Sequence, residues 1–151
     1  MSIALTDIPY FLITHYHPDH AGLAQELKRM GCKLILMDNQ LSAVPVLKTH
    51  MKPDNHYVDI ELTDNVNLTC IDSRTFLARL GILGEIISTP GHSNDSITLI
   101  LDEGAAFIGD LTHPSIMDAD VNTTLHASWQ KICTFEVKNI YPGHGPMWRL
   151  M

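Results

Sequence analysis

The sequence predicts an α/β fold with a sheet that is at least partly parallel, and three observations carry that prediction. Tyr10-Phe11-Leu12-Ile13 and Lys33-Leu34-Ile35-Leu36-Met37 are short apolar runs of the kind buried on both faces of a sheet. Helix signals fill the interval between them, and strand, helix and strand in that order close economically as a right-handed parallel crossover. Further on, two apolar segments flank Asp102-Glu103-Gly104, which predicts an antiparallel hairpin.

Taken in order, the first run covers 10–13, and Thr14 opens a loop at its carboxyl end, where sheets of this class place ligands. A helix is expected over about 20–30. Leu23, Leu27 and Met30 fall at i, i+4, i+7 as its apolar face, Gln25, Glu26, Lys28 and Arg29 lie opposite, and Gly31 is the stop. The second strand covers 33–37. Between Asp38 and His56 the pattern is that of a broken helix: Leu41, Val44 and Leu47 are apolar, Pro45 disrupts, and Lys52-Pro53-Asp54-Asn55 reads as a loop. Residues 58–62 and 66–71 read as a hairpin around Asp64-Asn65. Asp72 or Ser73 then caps a helix carrying Phe76, Leu77 and Leu80 up to Gly81. Strands are expected over 85–88, 97–101 and 105–108. A helix over 123–134 with Leu125, Trp129 and Ile132 on one face leads to a last strand over 137–141.

Composition narrows the class. A chain of 151 residues suits one domain, and a domain of that size buries about 70% of its unfolded surface. Apolar residues at 45% and charged residues at 18% are ordinary for a globular protein. The N-terminal residues read as neither a secretory leader nor a membrane span, so the expectation is a cytoplasmic protein without a membrane partner. Cys32, Cys70 and Cys133 are odd in number and far apart, which predicts buried reduced thiols. The net charge is −7 and the longest basic run is Lys28-Arg29, so nothing tracks a nucleic-acid backbone.

The chemistry gathers at Thr14-His15-Tyr16-His17-Pro18-Asp19-His20, where three imidazoles and a carboxylate fall within six residues. His15 and His17 are two apart, so in extended chain they project to one side and can share an ion. Asp19 and His20 come where the chain turns into the helix and can serve a second ion, and the helix dipole there favours ionised Asp19. The alternative is Asp19 as a helix cap beside exposed loop histidines. Downstream, Pro90-Gly91-His92-Ser93 places His92 at a strand end. Asp110 follows a buried strand, where a carboxylate calls for a cation, and the glycines flanking His144 let it point inward.

The pattern H-x-H-x-D-H, followed by Thr89-Pro90-Gly91-His92-Ser93, Gly109-Asp110 and Pro142-Gly143-His144-Gly145, resembles the metallo-β-lactamase superfamily, motif for motif and in the same order, from about Tyr10 to Pro146. The resemblance implies an αβ/βα four-layer sandwich whose first sheet lacks its N-terminal strands. It implies a dinuclear centre with His15, His17 and His92 on the first metal, Asp19, His20 and His144 on the second, and Asp110 bridging. Ligands of nitrogen and oxygen without thiolate suit two Zn²⁺, with iron or manganese also accommodated. Relatives with a redox di-iron site usually carry Glu at the position of His17, so hydrolysis is favoured over oxygen chemistry. The reaction implied is attack of metal-activated water on an ester, thioester or similar small, anionic substrate, with Asp19 as the catalytic group that orients the water and moves its proton. His50, His56 and Tyr57 are candidates for substrate contact, while Thr14, Ser93 and His113 are either supports behind the ligands or ordinary surface and strand-end groups. Two alternatives remain open: a remnant that binds metal without catalysis, and a phosphodiesterase.

Only fourteen residues precede His15, whereas relatives place several strands there. A first sheet without those strands exposes an edge or an apolar face, which chains usually cover by association. The sequence therefore predicts a homo-oligomer, in the first instance a dimer. Light scattering on the purified chain at micromolar concentration is expected to return twice the chain mass; a stable monomer there removes the expectation.

Overall fold

The computed structural model describes residues 4–116 and 123–150. The chain divides into two compact units, Met1–Thr69 and Cys70–Met151.

The first unit is built on a parallel sheet of three strands, β1 (Tyr10–Leu12), β2 (Lys33–Met37) and β3 (Val66–Leu68), in the order β1-β2-β3. The central strand is the longest unbroken apolar run, as a strand covered on both faces requires: Leu34, Ile35, Leu36 and Met37 are all buried. Two short helices, α1 (Pro18–Ala21) and α2 (Ala24–Arg29), make the crossover from β1 to β2. The third, α3 (Val44–His50), begins at the Pro45 turn, where proline is tolerated, so that residue opens a helix instead of disrupting one. Ile13, Tyr16, Ala21, Ala24, Leu34, Leu36, Val44, Leu47 and Ile60 form the core of this unit.

Two further expectations fail in this unit, each for a physical reason. The helix expected over 20–30 is interrupted at Gly22 and Leu23, and its buried face is Ala21, Ala24 and Gln25, while Leu23 and Met30 are exposed. Small side chains let the helices lie close to the sheet, and the more hydrophobic stripe was the wrong one to follow. The hairpin over 58–71 does not form either. Val66–Leu68 pairs in parallel with β2, and the segment before it is held by side chains of α2: Gln25 Oε1 accepts the Glu61 N–H at 2.9 Å, and Lys28 Nζ donates to the carbonyls of Glu61 and of Thr63, the latter at 2.8 Å. With its Glu61 backbone groups satisfied this way, that segment has no ladder to join.

The second unit carries a five-stranded mixed sheet in sequence order: β4 (Gly84–Ser88), β5 (Ile97–Leu101), β6 (Ala105–Gly109), β7 (Asn139–Pro142) and β8 (Trp148–Arg149). The expected β5–β6 hairpin forms. β6 and β7 run parallel, joined through α5 (Thr123–Ile132), and β8 is a short antiparallel addition that periodicity could not reveal in two residues. Leu125, Trp129 and Ile132 of α5 pack on Ile87, Ile100, Ala106, Ile108 and Ile140. The remaining helix, α4 (Cys70–Arg79), is tied to β4 by the buried Ser73, whose Oγ accepts the Ile86 N–H at 2.9 Å and donates to Cys70 O at 2.7 Å. All three cysteines are free; Cys32 is buried as expected, but Cys70 is half-buried and Cys133 is exposed just past α5. Among the described residues no helix is long and apolar enough to cross a membrane.

On the surface of the second unit, Arg74 of α4 clasps Asp102 with two N–H donors, at 2.9 and 3.0 Å, and reaches Glu85 Oε1 at 2.7 Å. These hydrogen bonds hold the Asp102 carboxyl below the usual range and raise the guanidinium pKa. Because the folded-state value of Asp102 is depressed, its contribution is present above the unfolded carboxyl value and lost as pH falls through the folded one. Arg74→Met is therefore expected to melt at a lower temperature than the parent at pH 7, and the gap should close below about pH 4. Melting curves by circular dichroism across pH check this, and a gap that persists into acid would show the loss to be packing alone.

Candidate metal centre

In the first unit the ligand loop begins one residue past Ile13, at the carboxyl end of β1. His15 is fully buried and His17 half-buried. His15 Nε2 and His17 Nδ1 face each other at 3.1 Å. Two ligands about 2.05 Å from one tetrahedral ion stand about 3.3 Å apart, so this pair fits a shared metal. The His15 and His20 rings are 4.1 Å apart between centroids, and His20 Nε2 lies 3.6 Å from Asp19 Oδ2. Asp19 is not the cap of α1: the cap position is His17, which makes no capping hydrogen bond, and Pro18 is the first helical residue. The reading of this stretch as a capped helix with exposed histidines therefore fails at both points. Gly22 is required by close approach, since a Cβ there would sit 2.5 Å from the Pro18 carbonyl oxygen and force the turn off the ligands.

What holds this loop is Gln40, which the sequence reading did not single out. Its side-chain amide donates to Ile13 O at 2.9 Å and approaches Thr14 O at 3.4 Å, and its Oε1 accepts from Met37 N at 3.4 Å. It is fully buried. The only signal was a polar residue just past a buried strand. Thr14 touches a ligand directly, Oγ1 to His15 Nδ1 at 3.3 Å. Of the residues proposed for substrate contact, His50 has its ring 6.3 Å from that of His17, His56 is exposed in the left-handed region, and Tyr57 packs against the core.

The second unit contributes His92, Asp110 and His144 from three separate loops. His92 Nε2 and His144 Nε2 lie 3.8 and 3.6 Å from the same oxygen, Asp110 Oδ2. One carboxylate between two imidazoles is the arrangement a bridging ligand needs. Gly109 and Gly145 both take positive φ, at 56° and 91°, which turns the chain sharply beside Asp110 and His144, and Gly143 N–H donates to Gly109 O at 2.7 Å to tie the two turns together. Helix α5 holds the remaining loops with consecutive residues. Ser128 Oγ donates to Pro90 O at 2.6 Å, and Trp129 Nε1 donates to Thr112 O at 2.8 Å. Trp129 was legible as core but not as a support of the Asp110 loop. Ser93 serves its own turn, with Oγ 2.7 Å from Ser96 Oγ, so the strand-end reading of that residue holds. His113 is exposed and hydrogen-bonded to Ser115.

The seven expected ligands thus fall into a set of four in the first unit and three in the second, and within each set the donor atoms are spaced as ligands are. The sequence profile of the metallo-beta-lactamase superfamily matches residues 2–144. A beta-lactamase-like protein 2 homolog from Caenorhabditis elegans is 29% identical over 143 residues, covering 93% of this chain and 43% of its own length. An atrochrysone carboxyl ACP thioesterase from Pseudocercospora fijiensis is 28% identical over 142 residues, 92% of this chain and 36% of that protein. Among solved structures, a metallo-beta-lactamase family protein from Thermus thermophilus superposes with a TM-score of 0.73 at 17% identity, over 98% of this chain and 58% of that one. The chain spans less than half the length of these curated relatives.

The clamps generate a prediction. Gln40→Met leaves the buried Ile13 carbonyl without its donor, at about 1–3 kcal/mol of stability, Trp129→Phe removes a part-buried hydrogen bond, at about 1 kcal/mol, and each loosens one ligand loop. Zinc affinity measured by competition with a chelating dye is expected to fall about 10- to 100-fold in each while the fold persists. Unchanged affinity would show that the ligands hold their geometry without these donors.

Proposed function

Since the chain belongs to the metallo-beta-lactamase superfamily, a family mainly of hydrolases, we propose that it is a dinuclear metal-dependent hydrolase acting on an ester, thioester or similar small substrate. The observation that carries this reading is the spacing of donor atoms in each half: His15 against His17, and His92 and His144 against one oxygen of Asp110. Following the order of the motifs, His15, His17 and His92 take one ion, Asp19, His20 and His144 the other, and Asp110 bridges. Zinc suits five imidazoles and two carboxylates without thiolate.

Bound there, the two cations would lower the pKa of a water molecule and stabilise negative charge developing on the substrate. The work of the chain's own residues is to hold that pair. Two carboxylates do not neutralise two dications, so the centre keeps a positive charge that attracts an anionic substrate. Asp19 is exposed and lies beside His20, where a carboxylate can orient a water and carry its proton. A thioester is the favoured bond, because the thioesterase relative acts on that class and, among the described residues, the second unit offers no Lys or Arg around its ligands for a phosphodiester.

Elemental mass spectrometry on chain purified without chelators or affinity metals is expected to find about two metals per chain. Asp110→Asn should lower that ratio and cut kcat/KM on a thioester panel by at least about 100-fold. Metal near zero with no uptake of added zinc, or full loading with water-like rates on thioester, lactone and phosphodiester alike, would leave a metal-binding remnant as the better description.

A further inference from the structure

The second unit contains a cavity of about 560 Å³ that opens beside its three ligands, His92, Asp110 and His144. Away from them the wall is Ile108, Leu111, Ile116, Pro142, Pro146 and Trp148. Among the described residues no Lys, Arg or Glu lines it, and the only other polar ones are Thr112 and His113. One polar atom of each already has a partner: the Thr112 carbonyl accepts the Trp129 indole N–H, and His113 Nδ1 lies 2.7 Å from Ser115 Oγ.

Two rings on the cavity wall support each other, Trp148 and His113, with centroids 4.2 Å apart, and Trp148 also packs on the buried Trp129 at 5.8 Å. Facing solvent, Ile116 is 74% exposed on the short 3-10 turn Pro114–Ile116, where it covers no core. Together with Leu111, Pro146 and Trp148 it belongs to one apolar lining, and it is such contiguous apolar surface, not a single exposed side chain, that marks a ligand groove.

The volume is that of a small-molecule site, and the wall decides what fits. A phosphate, carboxylate or sugar entering it would lose water and find few donors in exchange. A methylene chain or an unsubstituted ring loses nothing comparable, and each methylene fully buried strengthens binding about fourfold. The thiol side of a biological thioester is a polar carrier, so the acyl side is the one suited to this wall.

We infer that this cavity receives the acyl group of the substrate and selects for apolar acyl groups of medium length, with Trp148 and Ile116 setting that preference. The inference rests on the hydrolase reading of the same ligands. It also narrows it, from thioesters in general to those whose acyl part is hydrocarbon.

The test uses the zinc-loaded full chain and two matched series from acetyl to decanoyl: N-acetylcysteamine thioesters for turnover, and the corresponding amides, which resist hydrolysis, for binding by calorimetry. Amide affinity is expected to rise about two- to fourfold per methylene through the middle of the series. Ile116→Asp, a change at an exposed position outside the core, should flatten that slope, and Trp148→Leu should do the same. Hydrolysis at equal kcat/KM across the series, with amides binding without a slope, overturns the inference and leaves the hydrolase reading intact. A slope that survives undiminished in Ile116→Asp overturns it too, because the chain then lodges elsewhere. Amides that bind with a slope lost in Ile116→Asp, beside thioesters that are not cleaved, uphold the cavity and remove the hydrolase reading.

Discussion

Ligand loops at the carboxyl ends of strands leave carbonyl groups beyond the reach of the sheet ladder, and the rest of this structure depends on how those carbonyls are satisfied. Water cannot do it where the loop is buried, as it is around the fully buried His15. Here side chains from neighbouring elements take the task. Gln40 holds Ile13 and reaches Thr14, Ser128 holds Pro90, and Trp129 holds Thr112. Ser128 and Trp129 sit on α5, which packs in the core of its unit, and Gln40 is itself fully buried, so packing is converted into loop position. Helix α5, which carries none of the candidate ligands, thereby fixes the loops on which His92 and Asp110 stand.

Much of this was legible in the sequence, and the division between what was and was not follows the range of the interaction involved. The strand 33–37 announces itself because Leu34 to Met37, covered on both faces, are apolar throughout, and 97–101 and 105–109 because two mainly apolar segments flank a turn. His15 and His17 announce themselves because two ligands in extended chain past a strand need a spacing of two, and Asp19 and His20 because they crowd the turn that follows. The crossover helix was misread because amphipathic periodicity assumes that the larger apolar side chains face inward. Ala21 and Ala24 face inward instead, leaving Leu23 exposed, since close packing on a sheet rewards small residues as well as hydrophobic ones. The hairpin over 58–71 was misread for a different reason. Nothing local distinguishes a segment whose Glu61 backbone is taken by Gln25 and Lys28 from one whose backbone is taken by another strand.

The clamps were invisible for the same reason. Gln40 lies 27 positions from the carbonyl it serves, and Ser128 lies 38 from its own. A polar residue in an apolar setting signals that some partner exists without naming it. Only the folded chain shows that the partner is a ligand loop, and that two adjacent residues of α5, one a hydroxyl and one an indole, reach two different loops.

The two sets of candidate ligands, each within its own unit, consequently face different entropic problems. In the first unit, four ligands lie within six residues, so bringing them together closes almost no chain. In the second, His92 and His144 are separated by about fifty residues, and closing a loop of that length instead of one of five costs about 2 kcal/mol more by the logarithmic rule. A cation binding the first set would have little chain entropy to offset. It could gather the second only by supplying that difference from its own binding energy, which would weaken its retention. The parallel β6–β7 pairing, the Gly143–Gly109 hydrogen bond and the two donors of α5 meet most of that cost before any ion arrives. The fold of the second unit is best understood as a device that makes three distant residues behave like neighbours, whereas in the first unit sequence supplies the nearness and Gln40 only has to fix the loop.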